Sequence, residues 1–110
     1  MERPQSVTMS ESETAVTIVG SGELDVHNQD ELREALDSAA ATGKTVRIDL
    51  RSASYIDTAI VAHIGSAART VREDGRTLCV LVQDGSHPQY VLRAVGFSEL
   101  MEFVSCGAAE

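Results

Sequence analysis

Apolar residues recur along this chain with two periods, and the period separates strands from helices. At 45–50 the run Thr-Val-Arg-Ile-Asp-Leu alternates strictly, which predicts a strand with Val46, Ile48 and Leu50 on one buried face. Val7 and Met9 alternate with polar neighbours over Ser6–Ser10, a short strand. The β-branched stretch Ala15–Val19 reads as its hairpin partner across the polar break Glu11–Glu13, and Gly20-Ser21-Gly22 then punctuates the chain. Helical spacing follows. Leu32, Ala35, Leu36 and Ala39 form a stripe, with Asp25 or Asn28 available as cap and Gly43 as the C-terminal stop. Asp30, Glu31 and Glu34 lie in its first turns, where the helix dipole favours anions. A second helix is predicted over Thr58–Glu73 from Ile60, Val61, Ile64, Ala67, Ala68 and Val71, closed by Gly75; Arg51–Ile56 before it reads as a connecting stretch.

Thr77–Val82 is nearly all apolar, the pattern of a central strand covered on both faces, with Cys79 as a buried small hydrophobe. The loop Asp84–Pro88 brings Pro88 to the first position of a third helix, Gln89–Val95, which ends at Gly96. Met101–Val104 is a final short strand. The order β-β-α-β-α-β-α-β implies an α/β domain with a mostly parallel sheet and right-handed crossovers. A flexible tail is expected at 1–5, one domain over 6–106 and a short tail at 107–110. A chain of 110 residues can build one core without disulfides or metal.

Composition removes several functions. There are 17 Asp and Glu against 9 Lys and Arg, a net charge of −8, and Lys44 is the single lysine. Such a chain repels polyphosphate and anionic membranes, because nucleic-acid affinity comes from cationic side chains that displace counterions. With two Phe, two Tyr and no Trp, a stacking platform for single strands is not expected either. An acidic surface suits a basic protein partner, although acidity also serves solubility alone. Cys79 and Cys106 have no metal or disulfide spacing, and no signal peptide or membrane span is evident. A reduced cytoplasmic protein is the expectation, without metal or cofactor.

Two strand-to-helix turns can carry chemistry: Gly22-Glu23-Leu24-Asp25 and Tyr55-Ile56-Asp57-Thr58-Ala59. Functional groups gather at the carboxyl ends of strands in open parallel sheets, so Asp25 and Asp57 are expected to flank one surface site. Either Asp57 or Thr58 can cap the second helix, and capping alone explains an Asp-Thr pair at a helix start. The same geometry accommodates a phosphoryl group on Thr58, since a helix amino terminus presents free N–H groups and partial positive charge. The added charge, roughly −1.5 to −2, would be repelled by Asp25 and Asp57 and would obstruct a docked partner. Ile60 or Val61 are candidates for the apolar part of that contact. Ser54 is a weaker acceptor; Ser21, Ser52 and Ser66 are other hydroxyls. His27, His63 and His87 have no ligand spacing, so no catalytic residue is assigned and no enzyme is expected. Gly20-x-Gly22 lacks the third glycine of a dinucleotide loop.

Taken in order, these residues resemble the STAS domain of bacterial anti-sigma factor antagonists. The resemblance is carried by Gly22-Glu23-Leu24-Asp25, by Val46-Arg47-Ile48-Asp49-Leu50 and by Tyr55-Ile56-Asp57-Thr58. It continues through Gly75-Arg76-Thr77-Leu78-Cys79-Val80-Leu81-Val82, Val91-Leu92-Arg93-Ala94-Val95-Gly96-Phe97 and Met101-Glu102-Phe103. It implies a mixed sheet of four to five strands with helices mainly on one side. It also implies binding to an anti-sigma factor that is a serine/threonine kinase, release of a sigma factor, and an end to binding when Thr58 is phosphorylated. Asp25, Asp57, Thr58, Ala59 and Ile60 become the expected partner-binding residues, and a homodimer stays open. The family string is Asp, two hydroxyl residues, Gly and Leu; here Asp57-Thr58 is followed by Ala59-Ile60-Val61-Ala62-His63. That variant is similar to the STAS domains of stressosome scaffolds, which gives the alternative reading: a stressosome-type scaffold or co-antagonist component without classical kinase switching. A receiver domain phosphorylated on Asp57 is disfavoured, because it needs paired acids after its first strand and a lysine after its last long strand.

Overall fold

The computed structural model describes residues 6–96 and 102–106. Among them, five strands and three helices run in the order β1 (Val7–Glu11), β2 (Ala15–Leu24), α1 (Gln29–Ala41), β3 (Thr45–Ile56), α2 (Thr58–Glu73), β4 (Leu78–Gln83), α3 (His87–Ala94) and β5 (Glu102–Cys106). The strands lie side by side in sequence order. β1 is antiparallel to β2, and every other pair is parallel. The mixed sheet implied by the resemblance is therefore present. The tails expected at 1–5 and 107–110, together with Phe97 and Met101, lie outside the described residues.

The strand order explains where the core sits. Each crossover advances one strand in the same direction, and right-handed crossovers of that kind place their helices on the same face. Burial follows one face accordingly. Val46, Ile48 and Leu50 of β3 are buried while Arg47 is exposed, and Leu78, Val80 and Val82 of β4 are buried while Cys79 and Leu81 are only half-buried. This corrects the expectation that β4 is covered on both faces and that Cys79 is buried: the apolar run has one covered side. The helices supply the predicted stripes, Leu32, Leu36 and Ala39 from α1 and Ile60, Ile64, Ala68 and Val71 from α2.

Two strands run further than their patterns suggested. Gly20-Ser21-Gly22 does not end β2, and Arg51–Ile56 is not a connection but the second half of β3. The pairing of β2 with β3 shifts between Val19 and Ser21 and again between Gly22 and Glu23. Each shift places one extra residue in β3, so the buried positions after Leu50 are Ala53 and Ile56, three apart instead of two. A spacing of three erases the alternation that marks a strand. Gly20 is needed at the first shift, because a Cβ there would lie 2.8 Å from Leu24 Cδ1 and 3.2 Å from Leu50 Cδ2.

Candidate functional site

The carboxyl ends of β2, β3 and β4 bring three turns together: 25–28, Asp57 and 84–86. Each turn is wound by short polar side chains. In the first, Asp25 Oδ1 accepts the His27 N–H at 2.9 Å, Asn28 Oδ1 accepts the Asp25 N–H at 2.9 Å, and Asn28 Nδ2 donates to the Glu23 carbonyl at 2.9 Å. Asn28 holds the N-cap position of α1, yet its side chain makes no capping hydrogen bond, and Asp25 lies three residues upstream. The expected Asp25 or Asn28 cap is thus replaced by a stapled loop. The hydrogen bond from the His27 backbone, and then the nearby imidazole, hold the Asp25 carboxyl below its ordinary range.

The second turn starts α2. Asp57 is its N-cap, and its Oδ1 accepts the Ile60 N–H at 3.1 Å. Thr58 is therefore the first helical residue and not the cap. It is exposed, and its hydroxyl has no hydrogen-bond partner among the described residues. Asp57 and Ala59 are half-buried. Ile60 is fully buried and Val61 nearly so, both within the hydrophobic core, which corrects their expected role as exposed contact residues. Ser54 is also exposed.

The three turns are tied to one another. The Asp57 N–H donates to the Leu24 carbonyl at 3.1 Å, joining the first turn to the second. The Ile56 N–H donates to His87 Nδ1 at 3.2 Å, joining the second to the third. His63 Nε2 lies 3.1 Å from Gln29 Oε1, linking α2 to the start of α1. In the third turn, Ser86 caps α3 and Pro88 is its second residue, one later than predicted. Gln89 is the buried polar residue there: its Oε1 accepts the Gly85 N–H at 2.8 Å and its Nε2 donates to Asp84 at 2.9 Å. Spacing along the chain gave no sign of His87, because 31 residues separate it from Ile56. Only the pairing of β3 with β4 brings the start of α3 beside the end of β3.

The site is acidic and open. Asp25, Asp57 and Asp84 lie on these turns and Glu23 at the end of β2 beside them, and residues 22–28, 55–59 and 83–87 contain no Lys or Arg. Among the described residues no group of three His, Cys, Asp or Glu is placed to hold a metal ion, and no helix is long and apolar enough to cross a membrane.

A family model described as "Mlab, STAS domain" matches residues 7–102. No curated protein matches the sequence. Solved structures do. An anti-sigma factor antagonist from Mycobacterium paratuberculosis superposes with a TM-score of 0.78 at 12% identity, over 88% of this chain and 82% of that one. An anti-sigma factor antagonist assigned tentatively in Thermotoga maritima gives 0.77 at 11% identity, over 94% and 88%. The Bacillus cell fate determinant SpoIIAA in its phosphorylated form gives 0.67 at 19% identity, over 89% and 90%. At these identities the likeness is one of fold.

Proposed function

The chain belongs to the STAS domain family, and on that premise we propose that it is an anti-sigma factor antagonist. It binds an anti-sigma factor of the serine/threonine kinase type through the carboxyl end of its sheet, and phosphorylation of Thr58 ends the binding. One observation carries the reading: an exposed, unbonded hydroxyl stands at the first residue of α2, beside the carboxylate that caps the same helix. A kinase can reach this oxygen without opening the core. Similarity to antagonists, one of them solved as a phosphorylated protein, supports the same role.

The mechanism follows from charge. A phosphoryl group on Thr58 adds about −1.5 to −2 charges at a helix start already held by Asp57 and close in sequence to no cation. The helix dipole tolerates the anion, so the fold stays. A partner seated there meets a new, hydrated dianion where it had met a hydroxyl. Repulsion or truncation at the centre of an interface costs about 2–5 kcal/mol, which is enough to release the partner. Asp25, Asp57 and Ala59 form the rim of this contact, and nothing in the site calls for catalysis by this chain. The folded unit is taken as 6–106, working in the cytoplasm.

The test is phosphorylation by purified anti-sigma factor kinases with ATP, followed by mapping of the modified residue. Label on Thr58 that survives hydroxylamine is the expected result. Label lost in hydroxylamine would place the phosphate on Asp57, and label that persists in Thr58→Ala would move the acceptor to another residue such as Ser54. A second reading, a scaffold unit without a kinase switch, is favoured by one feature: Asp57-Thr58-Ala59-Ile60 has a single hydroxyl and no glycine. Assembly into a large particle without any Thr58 phosphorylation would select it.

A further inference from the structure

The burial of Ile60 and Val61 leaves the proposed partner surface without the apolar centre expected of it, and the structure offers a different one. Five large hydrophobic residues are exposed among the described residues, and two of them, Val26 and Tyr55, sit on the segments that meet at the carboxyl end of the sheet. Tyr55 differs from Val26. It is 42% exposed, yet its ring is stacked on His87, with centroids 4.6 Å apart and planes 21° from parallel. His87 is itself fixed, because its Nδ1 accepts the Ile56 N–H at 3.2 Å. A backbone N–H can only donate, so Nδ1 is the acceptor in this contact. The ring pair is thus anchored to the backbone between Tyr55 and Asp57.

An exposed aromatic ring held in one orientation loses little freedom on binding, and such rings dominate interface energies. The neighbouring charges define what fits it. Glu23 is the strand partner of Tyr55, Asp57 follows two residues after Tyr55, Asp25 two residues after Glu23, and Asp84 three residues before His87, while residues 22–28, 55–59 and 83–87 carry no Lys or Arg. A guanidinium satisfies both conditions at once, since its plane stacks on an aromatic face and its edge pairs with a carboxylate.

We propose that Tyr55, positioned by His87, is the contact centre of the partner surface and receives an arginine from a basic face of the anti-sigma factor. This rests on the function proposed above and adds to it a specific contact outside the α2 turn. His87 is a positioning residue: it holds the ring and does not meet the arginine directly.

The experiment measures affinity for the kinase that phosphorylates Thr58, by calorimetry on the unphosphorylated full chain. Tyr55→Ala is expected to weaken binding at least tenfold, and Tyr55→Phe to stay within about threefold of wild type, because the ring face is kept. His87→Leu removes both acceptor and ring and is expected to weaken binding and to speed amide exchange at Ile56. His87→Asn restores an acceptor at the Nδ1 position and is expected to recover the Ile56 protection. Should Tyr55→Ala prove unfolded by circular dichroism, Tyr55→Lys, which keeps a long side chain but repels an arginine, takes its place with the same expected loss. Wild-type affinity in the Tyr55→Ala or Tyr55→Lys protein would overturn this inference and leave the proposed function standing. Failure of the wild-type protein to bind any such kinase would overturn both.

Discussion

The two ends of the sheet are fastened in opposite ways. At the amino end, long cationic side chains reach between elements and cap free carbonyls. Lys44 Nζ donates to Glu11 at 2.7 Å and to the Ser12 carbonyl at 2.7 Å, binding the β1–β2 hairpin to the start of β3. Arg76 donates to the carbonyls of Lys44 at 2.8 Å and Ala40 at 2.9 Å and to Asp74 at 2.6 Å, gathering the ends of α1 and α2 over the strand that follows. At the carboxyl end each turn is wound by local bonds of Asp25, Asn28, Asp57, Ser86 and Gln89, the ties between turns run through backbone groups and His87, and Lys and Arg are absent from the turns. One end uses its charges internally. The other leaves carboxylates, a hydroxyl and an aromatic ring facing outward. A small domain can devote one end to recognition when its cations are spent on internal ties at the other.

That contrast predicts where substitutions will hurt. Arg76→Ala should cost the most stability, about 2–3 kcal/mol, because two carbonyl acceptors near a side chain only 16% exposed lose a charged donor. Urea unfolding reads the loss; a change under 0.5 kcal/mol would mean the amino end is not held by Arg76. Thr58 phosphorylation in that variant should be unaffected while the protein stays folded.

Asp57→Ala at the opposite end should cost about 1 kcal/mol, the usual loss of an N-cap, and Asp57→Ser should recover part of it. Amide exchange should rise at Ile60 and leave β4 unchanged. Equal loosening of both would show that the helix start is not an independent local unit.

The smallest effect belongs to the middle of the open face. Hydrogen bonds from the Arg51 guanidinium hold the Asp49 carboxyl below its ordinary value of 3.8, against the opposing effect of partial burial. A carboxyl lowered in the folded state contributes stability above the unfolded value and loses it as the pH falls through the folded one. Unfolding free energy should therefore drop below about pH 4 in the wild type, and Asp49→Asn should make that drop shallower. An identical acid limb in the two proteins would remove Asp49 from the account.

How far the sequence led differs between these regions. Helix α2 was legible to the residue, since six of its seven buried positions form an apolar stripe at helical spacing between an Asp-Thr start and a Gly stop. β3 was legible only to Leu50, because two bulges change the inward spacing from two to three and make Ala53 and Ile56 look like loop. Those bulges lie just before the site, so the same irregularity that hid the strand also sets how Tyr55 and Asp57 emerge from it. Asp57 and Thr58 were visible as a helix start, but which of them caps was settled by the Asp57–Ile60 bond. His87 was invisible as a site residue because its role depends on a contact made across the sheet. Ile60 was misplaced because an apolar residue in the first turn of a helix reads alike whether it faces the core or a partner.

The most direct test of the central claim is the dissociation constant of the kinase-type anti-sigma factor for two forms of this protein, unmodified and stoichiometrically phosphorylated on Thr58, in one buffer at one temperature. Tight binding is expected of the first and a loss of about 2–5 kcal/mol of the second, with both forms melting at closely similar temperatures. Equal affinity of the two forms would contradict that claim.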